Sequence, residues 1–277
     1  MVQVKFECEL LILGAGWTST FLIPLLRDEK VGYAATSTTG RSSTIKFIFE
    51  PDASDSTAFK VLPEARTILV TFPLRGTGQS QKLVDFYHQT HTSRPHYIQL
   101  GYTGIWRGDG QTVWLDRHSP YDTTNERAMA EDELMQNGGC VLNLAGLWGG
   151  ERSAQRFGRR AASTKEKLKG KGSLHLIHGR DVARAIYAVH RAWPGASRWI
   201  LTDRFVHDWW ALLAEWGSEG AVEGEEDATG EALVWVRELM EEEGVKALPR
   251  SVEKMGRAYD STEFWNKFNL SPVRARL

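Results

Sequence analysis

Two hydrophobic rhythms run along this chain. Short continuous apolar runs end in glycine or polar residues: "ELLILGAG" from Glu9, "VGYAATST" from Val31, "TILVTFPL" from Thr67, "HYIQLGYTGIW" from His96, "CVLNLAGLWGG" from Cys140 and "SRWILTD" from Ser197. Runs of this kind predict strands buried on both faces. Between them lie segments with helical spacing. "TSTFLIPLLRD" is a helix candidate in which Pro24 implies a kink or a late start. "GQSQKLVDFYHQT" groups Leu83, Val84, Phe86 and Tyr87, and "TTNERAMAEDELMQNGG" is a helix stopped by Gly138-Gly139. "HGRDVARAIYAVHRAW" aligns Val182, Ala185, Ile186 and Val189 on one face, with Asp181 expected as N-cap.

Alternating strands and helices predict an α/β fold: a Rossmann-type, doubly wound parallel sheet with right-handed crossovers. Regularity fades in the second half. "HDWWALLAEW" reads as a helix with Asp208 near its start. "SEGAVEGEEDATG" reads as an exposed acidic loop. "EALVWVRELMEEEG" reads as a helix burying Leu233, Val234, Val236 and Leu239. The domain reading is therefore residues 1–216 as the sheet domain, with substrate-lobe segments interleaved after about Gly149. Residues 217–277 form an acidic loop and a helical segment that complete a small C-terminal substrate lobe.

Composition narrows the function classes. The 277 residues carry a net charge of −1, so no global field recruits nucleic acid or anionic membrane. No apolar run is long enough to span a bilayer, and no signal-peptide pattern opens the chain. Cys8 and Cys140 lie in separate apolar segments and read as buried free thiols in a reducing, cytoplasmic setting. Two cysteines and scattered histidines supply no metal-ligand spacing, so no metal is expected. Eleven tryptophans, most of them in the second half, read as packing, with an aromatic wall for a substrate ring as the sharper option. Ten acidic residues against Arg237 between Glu219 and Glu243 read as a solvated face.

The chemistry begins at Gly14-Ala15-Gly16. A strand, a glycine turn and a helix bring backbone N–H groups to a pyrophosphate at the helix N-terminus. Ser19 stands where the third glycine of that pattern belongs and is small enough to replace it, while Thr18, Ser19 and Thr20 offer hydroxyls. An NAD site has an acidic residue about 20 positions further on, at the end of the second strand. This chain has none from Val31 to Phe49; it has Arg41 beside Thr38, Thr39 and Ser42. That pattern favours NADP over NAD, because arginine pairs with a 2′-phosphate that a carboxylate would repel. Trp17, in the loop, and Phe72, at the end of the third strand, complete the candidate cofactor set.

Several segments together resemble the extended and atypical short-chain dehydrogenase/reductase superfamily, including its NAD(P)-dependent epimerase/dehydratase-like members. They are "LGAGWTS", "YIQLGYTGIWRGD", "LDRHSPYDTTNERAMAEDELM", "CVLNLAGLWGGER", "HLIHGRDVARAIYAV" and "WILTDRFVHDWWALLAEW", in that order from about Leu10 to Trp216. The resemblance implies an NADP-dependent reductase or epimerase-like enzyme acting on a small carbonyl-bearing metabolite. It also implies pairing of two copies through the helix that carries the catalytic dyad. That helix, "NERAMAEDELM", is highly charged here.

The family's chemistry rests on Ser/Thr, Tyr and Lys, with Tyr four residues before Lys. Arg127 falls at the Lys position, Thr123 at the Tyr position, and Tyr102 at the Ser/Thr position with Thr103 beside it. Arginine supplies charge and a ribose contact, but threonine cannot replace a phenol as proton donor. Three readings stay open: a displaced phenol from Tyr102 or Tyr121, hydride transfer with another proton source, or nucleotide binding without redox turnover. The last includes a catalytically silent regulatory protein, and a redox-neutral isomerase or cyclase is a further rival. Arg127 also reads as a surface ion-pair partner of Glu131, four residues on.

Overall fold

The computed structural model describes residues 6–108, 110, 113–220 and 229–274. The first apolar run forms β1 (Cys8–Leu13), in which every residue but Glu9 is buried. Leu10 and Ile12 face one hydrophobic layer, Leu11 and Leu13 the other, as the two-residue period of a strand requires. Helix α1 (Ser19–Asp28) follows and carries Pro24 in its interior, so the helix starts well before the proline. Next come β2 (Tyr33–Ser37), the two-residue β3 (Ile45–Lys46), β4 (Ala65–Val70), α2 (Gln79–Thr90) and β5 (His96–Tyr102).

Past β6 (Trp114–Leu115), helix α3 (Glu126–Gln136) begins at Asn125, whose side chain accepts from Arg127 N. It ends at Gly138, where φ is +83°. The run from Cys140 is two strands. β7 (Cys140–Leu144) stays in the sheet, and β8 (Gly146–Trp148) turns away at Ala145 to pair elsewhere.

The second half comprises α4 (Ala154–Ala161), α5 (Lys165–Lys169), β9 (Ser173–Leu174), β10 (Leu176–His178), α6 (Gly179–Arg191), β11 (Ser197–Leu201), β12 (His207–Asp208) and α7 (Trp209–Gly220). After these come α8 (Thr229–Glu242), α9 (Val252–Met255), β13 (Ala258–Tyr259) and α10 (Thr262–Lys267). The acidic stretch between α7 and α8 falls largely at residues 221–228, outside the described residues.

Seven strands form one parallel sheet in the order β3-β2-β1-β4-β5-β7-β11. This is the doubly wound arrangement expected from the sequence. The order reverses between β1 and β4, so a crevice opens beyond their carboxyl ends. One face packs Leu22 and Leu26 of α1 with Val182 and Ile186 of α6; the other packs Leu83 and Val84 of α2 with Leu134 of α3.

A separate core joins Leu168, Leu174, Trp209, Trp210, Trp216, Val236 and Leu239 in the lobe after β7. Most of the tryptophans are thus packing residues. Val234 is exposed, in contrast to the expectation, because the face of α8 that meets α7 is that of Val236 and Leu239. Acidic side chains at the end of α8 and just after it meet cations of the same molecule: Lys165 bridges Glu238 and Glu242, and Lys169 bridges Glu242 and Glu243.

The tail after α9 runs back to the sheet. β13 pairs with β6, and Phe264 and Trp265 of α10 are buried in the core that includes Trp199 and Leu201 of β11. Asp181 does not cap α6. His178 does, its Nδ1 accepting from Arg180 N at 3.0 Å. The fully buried Asp181 carboxylate accepts instead from Arg184 and from the Val273 and Arg274 N–H groups, tying down the tail. Cys8 and Cys140 are buried and free, and burial pushes their thiols up to about 11 and about 12. Among the described residues no helix is long and apolar enough to cross a membrane, and no three metal-ligating side chains converge.

Candidate cofactor and substrate site

The glycine turn sits at the mouth of the crevice. Gly14 has φ +93°, and a Cβ there would lie 2.7 Å from Thr71 Oγ1, so only glycine fits. The turn is held from both sides. Gly14 N donates to Thr36 Oγ1 and Ala15 N to Thr36 O, while the Thr71 hydroxyl donates to Gly14 O at 2.6 Å. A Cβ on Gly16 would meet nothing within 4 Å, so this edge of the turn faces open space. Thr18 and Ser19 are buried at the start of α1, and Ser19 Oγ has no partner among the described residues. Ser19 is thus enclosed at the position where the sequence pattern has a third glycine. The Thr20 hydroxyl turns back onto Trp17 O.

Two cavities flank this turn and share Gly16. The first, of about 500 Å³, runs past Ser19 and Thr20 to Ser37, Arg41, Ser42 and Thr44. No acidic side chain lines it. Its loop is fixed by Ser37 Oγ against Thr44 Oγ1 at 2.7 Å and by Thr44 N donating to Arg41 O. Ser42 and Ser43 hold φ of +53° and +60°, left-handed values that non-glycine residues adopt at a conformational cost. Arg41 is exposed above the cavity, and Thr38, also exposed, lies outside its lining. Thr44 lines it instead. Phe72 stacks on Phe49 at 5.9 Å, its ring against the Gly14 turn.

The second cavity, of about 310 Å³, lies over the ends of β1, β5 and β7, lined by Gly16, Trp17, Thr18, Tyr102, Arg127 and Arg152 among others. Here the structure brings Tyr102 and Arg127 together. The guanidinium carbon stands 4.9 Å from the centre of the Tyr102 ring, and Arg127 donates to Leu100 O. Asn125 Nδ2 donates to the Tyr102 hydroxyl oxygen at 2.9 Å. Asn125 was missed in the sequence because a cap residue in "TTNER" looks purely structural; here it caps α3 and holds the phenol at once.

Behind this wall lies a buried polar cluster. Glu131 is fully buried, bonded to Asn143 Nδ2 at 2.8 Å and Arg198 at 3.2 Å. Its partners are thus in the interior, and it is no surface counter-ion to Arg127. Burial pushes the Glu131 carboxyl up and the Arg127 guanidinium down from their ordinary values. Arg127 Nε, Glu131 Oε1 and Asn143 Oδ1 have no partner among the described residues. Gly101 is closely hemmed in at this point, since a Cβ would lie 2.5 Å from both Asn143 Nδ2 and Glu131 Oε1.

The other candidates lie elsewhere. The Tyr121 hydroxyl donates to Asp132 at 2.7 Å, its ring sits 4.3 Å from the Arg198 guanidinium, and it borders a different cavity. Thr123 is exposed in the turn before α3. Thr103 is buried beside Tyr102, its carbonyl accepting from the Tyr259 hydroxyl. Opposite the glycine turn, the Trp17 indole donates to Gly149 O at 3.0 Å, and Arg152 lies 4.4 Å over its ring. The "LWGGER" stretch thus closes the crevice from the lobe side, with Arg152 as a wall residue that its sequence did not single out.

No family model matches the chain, and no curated protein sequence matches it. Solved structures do resemble it. A functionally unknown conserved protein from Silicibacter pomeroyi DSS superposes with a TM-score of 0.64 at 14% identity, covering 98% of this chain and 95% of that one. The UDP-N-acetylglucosamine 4-epimerase from Bacillus cereus gives 0.61 at 9% identity, covering 97% and 95%. A putative NAD-dependent epimerase/dehydratase from Methylobacillus flagellatus gives 0.58 at 15% identity, covering 94% and 91%. The chain has the fold of these proteins. At such identities the likeness is one of architecture, and it extends over the lobe as well as the Rossmann sheet.

Proposed function

We propose that this chain binds NADP across the Gly14–Ser19 turn and acts as a reductase or epimerase-like enzyme on a small carbonyl-bearing metabolite. One observation carries the reading: two cavities meet at Gly16, one leading to Arg41 with no acidic lining residue, the other to Tyr102 and Arg127. The first suits the adenosine end, with Arg41 pairing a 2′-phosphate; the second suits the nicotinamide end and a substrate carbonyl. The residues fit such a ligand, since Ser19 Oγ and Arg127 Nε, each on a lining residue, are buried polar atoms awaiting a partner. The fold shared with a putative NAD-dependent epimerase/dehydratase supports a nicotinamide nucleotide. Free, buried Cys8 and Cys140 suit a cytoplasmic setting.

When bound, NADPH supplies a hydride. The protein's own part is to orient the carbonyl and furnish the proton. Asn125 donates to the Tyr102 oxygen, which leaves the phenol's own hydrogen free to point to a substrate oxygen. Arg127 adds a positive charge beside the ring and a donor toward the ribose. The rival reading, nucleotide binding without turnover, draws on Thr123, which stands exposed and lacks a phenol where the related enzymes carry theirs.

Arg41→Ala tests the cofactor assignment. NADPH affinity should fall about tenfold or more, the worth of a charge-assisted contact, while NADH affinity stays nearly unchanged. Equal losses for the two nucleotides would remove Arg41 from the 2′-phosphate role.

A further inference from the structure

A third cavity, of about 510 Å³, opens on the lobe side of the crevice between β8 and α4. Leu147 and Arg152 line both it and the Tyr102 cavity, so the two adjoin across these side chains. Its floor is apolar, made by Leu147, Trp148, Ala154 and Leu176. Its polar groups are nearly all donors. Arg152, Arg156 and Arg160 line it against a single carboxylate, Glu151. The arginines recur every fourth residue, and Arg156 and Arg160 share one face of α4, where like charges repel unless an anion lies between them. None of the three forms an ion pair with a described residue. The Trp148 indole N–H is buried and has no partner among the described residues.

We infer that this cavity is the substrate chamber and that it takes an organic oxyanion: a molecule with an apolar or aromatic body bearing a carboxylate or a phosphate monoester. The body packs on Trp148, Leu147 and Leu176. The anionic group sits against Arg156 and Arg160, a fork geometry that matches two oxygens. The reacting end extends past Leu147 and Arg152 toward Tyr102. This inference rests on the reading of the Tyr102 cavity as the reaction site, and it adds the charge of the substrate and the residues that select it.

Three probes of one shape test it: 2-naphthoate, 2-naphthyl phosphate and neutral 2-naphthamide, titrated by tryptophan fluorescence into the intact protein with and without NADPH. At least one anion should bind about tenfold or more tighter than the amide, a difference expected for arginine hydrogen bonds to an oxyanion. The better of the two anions identifies the head group. In the double variant Arg156→Gln, Arg160→Gln that preference should vanish while NADPH binding and the melting temperature hold. The inference is overturned if the amide binds as tightly as both anions, if no probe binds at submillimolar concentration, or if the double variant keeps the preference. Failure of NADPH to bind the wild-type protein, with the anion preference intact, would instead sink the cofactor reading and leave the anion-binding chamber standing.

Discussion

At the scale of single residues, the proposed reaction rests on Tyr102 and Arg127. The sequence placed Arg127 correctly on its helix and flagged two phenols, but it had no means of choosing between them. Partners elsewhere in the chain hold the two in different places. Tyr121 is drawn to Asp132 and Arg198, the latter on β11, while Tyr102 ends β5 and meets Asn125 at the cap of α3. The account predicts that Tyr102→Phe lowers turnover by about 10²–10⁴, the range for a lost general acid, with NADPH affinity little changed. Steady-state kinetics beside a binding titration separates the two effects. Undiminished turnover in that variant would take the proton-donor role away from Tyr102.

At the scale of elements, the long apolar runs were legible because a doubly covered strand has no polar positions to confuse with a helix. The two-residue β3 was not, since no periodicity exists in so short a piece. The break between β7 and β8 was hidden for a different reason. "CVLNLAGLWGG" is apolar throughout, and only the change of pairing partner at Ala145 divides it. Asp181 looked like a cap because acidic residues favour that position; the tail amides it serves come from 92 and 93 residues away. Close packing of β5 on α3 yields a direct test. Gly101→Ala forces a methyl to within 2.5 Å of Glu131 and Asn143. Stability should drop by about 1–3 kcal/mol, as for other overpacked cores. Chemical denaturation measures this, and a neutral result would mean that the buried cluster can yield.

At the scale of the whole molecule, lobe, tail and sheet are held together partly by neutral buried histidines. His175 Nε2 accepts from the Tyr259 N–H, and burial pushes its imidazole down to about 3. Its folded-state value lies below the ordinary one near 6.5, so the unfolded chain binds the extra proton between those limits. Stability is therefore complete above about pH 6.5 and falls as pH drops toward 3, by up to about 1.4 kcal/mol per pH unit for one such group. His88, His96, His178 and His190 are lowered too and act in the same direction. Melting temperatures measured from pH 7.5 to 4.5 should decline, and His175→Gln should flatten the decline. A rise in stability on acidification would contradict the assignment.

The claim on which the rest depends is that NADP lies across the glycine turn. Titration of the intact protein with NADPH and with NADH, followed by quenching of its tryptophans, tests it directly. The account predicts submillimolar binding of NADPH and distinctly weaker binding of NADH. Binding of neither nucleotide in that range, or a preference for NADH, would contradict it.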